Sequence, residues 1–257
     1  MIMPQESLIV EAVPVLGDNY VWMFACNSNE YVAVDPGEAT AVSQWLNERG
    51  ASLSHILLTH HHADHIGGVA ELQKKYGAEI IGSQADAQRL PILDHAVVEG
   101  DCLNVGECQI KVIDTPGHTI GHVIYRTADA LFVGDTLFSM GCGRLFEGSP
   151  DVMWQSLQKI KNLPDATKIY PAHEYTLTNH GFAITLEPDN QELIALKKEL
   201  LIKNDNDTPT LPTTLATEKK LNPFLRTEDS QLAEKLGLKD KSPVERFAIL
   251  REKRNHF

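Results

Sequence analysis

The sequence predicts a mixed α/β sandwich followed by a small α-helical domain, and three observations predict it. Short apolar runs at 8–15, 21–25 and 31–34 stand close together, cut by the turn signals Gly17-Asp18-Asn19 and Asp35-Pro36-Gly37. From residue 40 such runs alternate with helical patterns. After about residue 175 good strand patterns stop and helical periodicity takes over. Strands that start antiparallel and then interleave with helices suggest a mixed sandwich.

The elements follow in order. Residues 40–49 read as a helix, 55–59 (HILLT) as a short buried strand, 68–76 as a helix and 79–82 as extended. Strands are expected at 109–114, 122–127, 130–134 and 168–170, with a helix at 152–163. In the last third, 191–204, 229–236 and 243–255 read as helices with no good strand between them, and 204–212 (NDNDTPTLP) as a loop. This organisation predicts two domains, 1–173 and 174–257.

Composition narrows the class. At 257 residues, 42% hydrophobic and 23% charged, the chain is an ordinary globular protein. No apolar run approaches the length of a membrane span. The first 15 residues carry no basic start, apolar core and small-residue cleavage site. The formal net charge of -12 disfavours nucleic acid and anionic membranes as partners, and an anionic small substrate would need a local basic patch. Cys26, Cys102, Cys108 and Cys142 form no C-x-x-C pair and are expected as free thiols in a reducing cytoplasm.

One segment carries chemistry. Residues 58–68 read LTHHHADHIGG, with His60, His62, Asp64 and His65 in an H-x-H-x-D-H pattern between a strand and a helix. Imidazole and carboxylate suit zinc and similar divalent ions. In an extended loop His60 and His62 point the same way and can hold one ion, while Asp64 and His65 face elsewhere and can hold a second. The helical metalloprotease motif is absent. Further donors stand at turns after expected strands: His118 in PGHT, Asp135 in GDT and His173 in PAHE. Of the eleven His, His55, His95, His180 and His256 read as structural, and His61 and His122 as packing or as supports of the ligating rings. No G-x-S-x-G elbow is present, and Cys142 has no recognisable base beside it and reads as structural.

The order H-x-H-x-D-H, His118, Asp135, His173 resembles the metallo-β-lactamase superfamily over about residues 8–175. The resemblance implies an αββα metallo-β-lactamase sandwich with a small C-terminal α-helical domain. It implies that His60, His62 and His118 hold one metal, that Asp64, His65 and His173 hold a second, and that Asp135 bridges them. Residues 134–148 (GDTLFSMGCGRLFEG), 171–176 (PAHEYT), 222–226 (NPFLR) and 250–257 (LREKRNHF) are similar to the glyoxalase II (hydroxyacylglutathione hydrolase) family, which extends the resemblance over nearly the whole chain. The implied activity is hydrolysis of S-(2-hydroxyacyl)glutathione thioesters, chiefly S-D-lactoylglutathione, by hydroxide bridging two divalent ions, with Asp64 and Asp135 as catalytic carboxylates. Zinc is the expected metal, and iron or manganese suit the same donors.

Implied substrate contacts are Arg144, Leu145 and Phe146, then His173, Glu174 and Tyr175, then Leu250, Arg251, Glu252 and Lys253. Arg or Lys suits a carboxylate. Without the resemblance, Arg251 and Lys253 would read as a solvated helix face. Two departures from the family stand out: Phe146 replaces a Tyr of some members, and Leu250 an Arg. The expected protein is a cytoplasmic monomer acting on a small molecule. The competing functions are a glutathione-persulfide dioxygenase of the same superfamily, expected to lack the helical tail, and a non-catalytic metal-stabilised interaction domain. Seven candidate donors exceed what a closed four-ligand structural site uses.

Overall fold

The computed structural model describes residues 8–206 and 208–257. The first seven residues of the segment read for a leader, and Asp207 in the 204–212 loop, lie outside the described residues. The chain divides into two compact units. One runs to Asp114 and includes Ile120–Gly134; the other comprises Thr115–Thr119 and Asp135–Phe257.

In the first unit, β1 (Val10–Val15), β2 (Asn19–Ala25) and β3 (Glu30–Val34) form an antiparallel meander. Pairing then turns parallel. α1 (Ala39–Arg49) crosses over to β4 (Ser52–Leu58), α2 (Ala63–Ile66) and α3 (Val69–Tyr76) lead to β5 (Glu79–Ser83), and β6 (His95–Val97) closes the edge. Parallel neighbours require such crossovers, and this explains why the sequence switches from turn-separated strands to alternation with helices. The glycines Gly50 and Gly77 end α1 and α3 in the left-handed conformation, with φ of 60° and 70°. A second set of strands, β7 (Cys102–Val105), β8 (Cys108–Asp114), β9 (Val123–Thr127) and β10 (Ala130–Gly134), runs antiparallel in the order β10-β9-β8-β7.

The two sheets of this unit meet face to face. Phe24 of β2 stacks on Phe132 of β10 with centroids 5.2 Å apart, and the Tyr125 hydroxyl of β9 donates to the Leu58 carbonyl of β4 at 2.8 Å. The other face of the first sheet is covered by α1 and α3, where Val42, Leu46, Val69 and Leu72 pack on Met23, Ala33, Ile56 and Ile80. A sheet covered on both faces needs continuous apolar strands: β2 (NYVWMFA) is buried up to its last residue.

The second unit carries a hairpin, β11 (Leu137–Phe138) and β12 (Gly141–Cys142), then α4 (Pro150–Lys161) and β13 (Lys168–Pro171). The helices α5 (Thr176–Leu186) and α6 (Gln191–Asp205) follow, then β14 (Thr213–Thr214), which pairs with β13, and α7 (Leu215–Leu221), α8 (Ser230–Lys235) and α9 (Pro243–Asn255). α9 starts on a complete capping box, Ser242 with Glu245. Apolar packing joins Met140, Ala183, Leu193 and Leu221, and the rings of Phe182, Phe224 and Phe247 form a second contact series. Among the described residues, no helix is long and apolar enough to cross a membrane.

The structure corrects the sequence reading at several elements. Residues 63–66 are a short helix, so the H-x-H-x-D-H segment is extended only in its first half. α5 and α7 and the short strands β6, β7, β11, β12 and β14 went unread. α5 (TLTNHGFAITL) carries Thr, Asn and Gly, which disfavour an isolated helix, and packing on α6 overrides that preference. Two-residue strands such as β14 have no periodicity to read.

Phe24→Ala is expected to lower unfolding free energy by about 3–5 kcal/mol, because it empties the contact between the two sheets. Urea denaturation with an unchanged m-value checks it; a loss below about 1 kcal/mol would mean that this contact is dispensable.

Candidate metal centre

The donors of the first unit sit on the segment leaving the C-terminal end of β4. His60 Nε2 and His62 Nδ1 are 2.9 Å apart, and His65 Nε2 lies 3.4 Å from Asp64 Oδ2. His60 and His65 are completely buried. The segment can bend into α2 because the Asp35-Pro36-Gly37 turn lies directly against it. A Cβ on Gly37 would fall 1.9 Å from the Asp64 carbonyl oxygen, so only glycine permits the approach.

Ring orientation is set by a buried network. Asp35 accepts from the Thr59 backbone N–H at 2.8 Å, from the Thr59 hydroxyl at 2.6 Å and from His65 Nδ1 at 3.0 Å. With its hydroxyl proton on Asp35, Thr59 Oγ1 accepts from His60 Nδ1 at 3.1 Å. Both rings then carry their proton on Nδ1 and present the lone pair of Nε2. Asp35 stood in the sequence only as part of a turn signal. The available clue was its place at the end of the apolar strand YVAV, where a carboxylate meets the next strand's loop. His61 bonds Asp86 at 3.1 Å, and His122 is buried with its ring stacked on His60 at 4.9 Å.

In the second unit Asp135 faces two imidazoles, one from each oxygen. Oδ2 is 3.4 Å from His118 Nε2 and Oδ1 is 3.4 Å from His173 Nε2. All three side chains are buried. His118 Nδ1–H donates to the Arg144 carbonyl at 2.9 Å, which again leaves Nε2 as the lone-pair nitrogen. Gly143 brings that carbonyl into place: its Cβ would lie 2.0 Å from the Asp135 carbonyl oxygen. Tyr175 lies flat on His173, centroids 4.7 Å apart, with Phe138 edge-on to both rings.

The loop carrying these residues is held from α7. Fully buried Glu218 accepts from the Met140 N–H at 2.9 Å and from the Ser139, Thr213 and Asn222 side chains at 2.8–3.1 Å. Asn222 Nδ2 also bonds the Phe138 and Gly141 carbonyls at 3.1 and 3.0 Å. Burial pushes the Glu218 carboxyl up, and these donors pull it back. Asn222 begins the NPFLR segment; Glu218 was not singled out from sequence, where it looks like any surface acid of a short helix.

These donors fit a divalent metal. A tetrahedral ion with N and O bonds of about 2.0–2.1 Å spaces its ligand atoms about 3.3–3.4 Å apart. The Asp64–His65, His118–Asp135 and Asp135–His173 pairs each show 3.4 Å. Neutral imidazoles with oriented Nδ1–H groups, the buried carboxylate of Asp135 and the more open one of Asp64 are the ligand chemistry such an ion takes.

The residues expected to meet substrate are placed as follows. Arg144, Phe146, Glu252 and Lys253 are exposed, and Leu145, Glu174 and Tyr175 half-buried. The Phe146 ring lies 5.2 Å from that of His118. Glu174 accepts from the Thr210 backbone N–H at 2.8 Å. Leu250 is buried among the helices, where it borders a small cavity with Leu232 and Leu236. Arg251 is not on a solvated face: it is 5% exposed and donates to the Cys142 carbonyl at 2.6 Å. Cys142 is itself buried, and burial pushes its thiol pKa up while Arg251 opposes the shift, as suits an inert packing thiol.

A sheet sandwich with His and Asp donors on its strand-end loops defines a member of the metallo-β-lactamase superfamily, whose family model matches residues 15–100 and 104–173. The model for the hydroxyacylglutathione hydrolase C-terminus matches residues 174–257. The hydroxyacylglutathione hydrolase of Rhodospirillum rubrum is 45% identical over 98% of this chain and 100% of its own length, and that of Aliivibrio fischeri strain MJ11 is 43% identical over 97% and 100%. The chain belongs to the hydroxyacylglutathione hydrolase family. Among solved structures, ETHE1 from Myxococcus xanthus superposes with a TM-score of 0.69 at 25% identity, covering 96% of this chain and 91% of that one.

Asp35→Asn is expected to keep the fold and to weaken metal binding about 10–100-fold, because Asn offers one acceptor oxygen where Asp35 offers two, so that His65 and the Thr59 hydroxyl, which itself accepts from His60, can no longer both be held. Metal content after dialysis against a competing chelator measures it; full retention would remove Asp35 from this role.

Proposed function

We propose that the chain hydrolyses S-(2-hydroxyacyl)glutathione thioesters, with S-D-lactoylglutathione as the chief substrate, at a centre of two divalent ions. The observation that carries the reading is Asp135, whose two oxygens each face a different buried imidazole at 3.4 Å, the disposition of a carboxylate shared by two ions. Full-length relatives named hydroxyacylglutathione hydrolase support the substrate class. His60, His62 and His118 would hold one ion, Asp64, His65 and His173 the other, and Asp135 both. When bound, such a pair lowers the pKa of a shared water and polarises the thioester carbonyl. Zinc suits these donors, as do iron and manganese.

The chain's own residues then bind and orient. Asp64 and Asp135 are the proposed catalytic carboxylates, and the stacked Tyr175 fixes the His173 ring. A thiolate is a good leaving group, so no strong general acid is required of the protein. Arg144, Tyr175 and Lys253 are the proposed contacts to the glutathione part. Phe146, exposed and without a hydroxyl, offers only apolar contact. In this reading residues 1–173 are the catalytic domain and 174–257 the substrate-binding domain. The protein works as a cytoplasmic monomer, which its free cysteines suit. Its net charge of -12 disfavours nucleic acid and anionic membranes as partners.

The purified, metal-analysed protein is expected to turn over S-D-lactoylglutathione in a chelator-sensitive way and to prefer it to the coenzyme A thioester. No turnover with about two metals bound per chain would overturn the substrate reading, and oxygen uptake with glutathione persulfide would replace it by a dioxygenase. Asp135→Asn should lower kcat more than about a hundredfold together with metal content; wild-type turnover in the folded variant would refute the bridging role. Lys253→Ala should raise KM about tenfold, some 1.4 kcal/mol, with kcat little changed. An unchanged KM would take Lys253 out of the site.

A further inference from the structure

A substrate with two carboxylates must find cations on a chain of net charge -12. In the second unit two guanidiniums stand one turn apart on α9, and the charge of a third, Arg144, acts on one of them. Buried Arg251 donates to the Cys142 carbonyl at 2.6 Å and stands over the Phe224 ring at 5.3 Å. Arg254, three residues on and therefore on the same side of α9, is half-buried. Its Nε and Nη2 both donate to Asn179 Oδ1, at 3.2 and 3.1 Å. Asn179 is 4% exposed and is held in turn by its donation to the Ser139 carbonyl at 3.1 Å. The charges of Arg251 and Arg144 reach Arg254: after burial, they are the next causes that push its pKa down.

Among the described residues no carboxylate forms an ion pair with Arg144, Arg251 or Arg254. The nearby Glu252 bonds His256 at 2.8 Å. Like charges gathered without a counter-charge are unfavourable, although the chain has 35 acids that could have supplied one. A cation in the last turn of a helix is favoured by the helix dipole, which accounts for one Arg there and not for two further cations acting on it. The guanidinium geometry identifies what is missing. Asn179 uses the Nε–Nη2 edge of Arg254, so the Nη1–Nη2 edge remains, rigidly aimed, and this is the fork that accepts a carboxylate in two parallel hydrogen bonds.

We propose that Arg254, fixed by Asn179, is a substrate-binding residue that takes one carboxylate of the glutathione part through its Nη1–Nη2 edge. This rests on the glutathione-thioester reading and adds a residue to it.

The test uses the full-length metallated protein and three substrates: S-D-lactoylglutathione and its two monomethyl esters, one blocked at the glycine carboxylate and one at the γ-glutamyl carboxylate. Arg254→Gln is expected to raise KM for the parent about tenfold with kcat within twofold, and to weaken binding of free glutathione in calorimetry by a similar factor. Wild type should show the same rise with one monoester only, and Arg254→Gln should add nothing further with that ester. Arg254→Lys, which keeps the charge and loses the fork, should recover only part of the affinity and replaces the Gln variant if that one fails to fold. A parent KM within twofold of wild type in the folded variant overturns the proposal, as does an equal rise with all three substrates. Wild-type protein inactive on every glutathione thioester would overturn the underlying reading and this inference with it; active wild type with an indifferent Arg254 overturns the inference alone.

Discussion

The donors of the first unit depend on one buried carboxylate. Asp35 receives three hydrogen bonds, two of them from Thr59 and one from His65. The Thr59 hydroxyl passes the constraint on to His60. A buried carboxylate is costly unless such donors satisfy it, so the network stands or falls as a unit. Its effect is to decide which nitrogen of each ring bears the proton. The turn that supplies Asp35 also supplies Gly37, whose missing side chain admits the backbone of Asp64. One strand end thus sets the tautomers of two imidazoles and the path of the segment that bears them.

The second unit solves the same problem with different parts. Backbone carbonyls and close approach do the orienting: Gly143 lets the chain run back along Asp135, and the Arg144 carbonyl receives the His118 proton. This loop has little regular structure of its own, and a two-residue hairpin is not stable in isolation. Its rigidity comes from Glu218 and Asn222, which together satisfy polar groups from residues 138–141. A short helix of the C-terminal region therefore supports the loop that starts at Asp135.

Charge is arranged with comparable economy. Acids outnumber bases by 35 to 23, yet Arg144, Arg251 and Arg254 have no carboxylate partner among the described residues. Arg251 has its charge buried against a carbonyl and an aromatic face, which ties α9 to the β11–β12 hairpin. A cationic spot on an acidic surface selects small anions by local contact, because the long-range field of the whole molecule opposes them.

The sequence by itself determined the element types with strong periodicity, the antiparallel-then-parallel order of the first strands, and the identity of the candidate donors, because these are local. Buried strands need apolar runs, crossovers need helices between them, and His and Asp at strand ends are visible as residue types. What it left open was α5, α7 and the two-residue strands, whose local preferences are weak or contrary and are overridden by packing. It also left open the work of Asp35, Asn179 and Glu218. Each is an ordinary polar residue in its own segment and acquires its role through a partner far along the chain: Thr59 is 24 residues from Asp35, Ser139 is 40 from Asn179 and Met140 is 78 from Glu218. The tertiary structure alone decided which protons the rings carry, that Leu250 and Arg251 are buried, and that Arg254 presents one edge of its guanidinium, because hydrogen-bond direction and burial belong to contacts between segments and leave no trace in the spacing of residues along one.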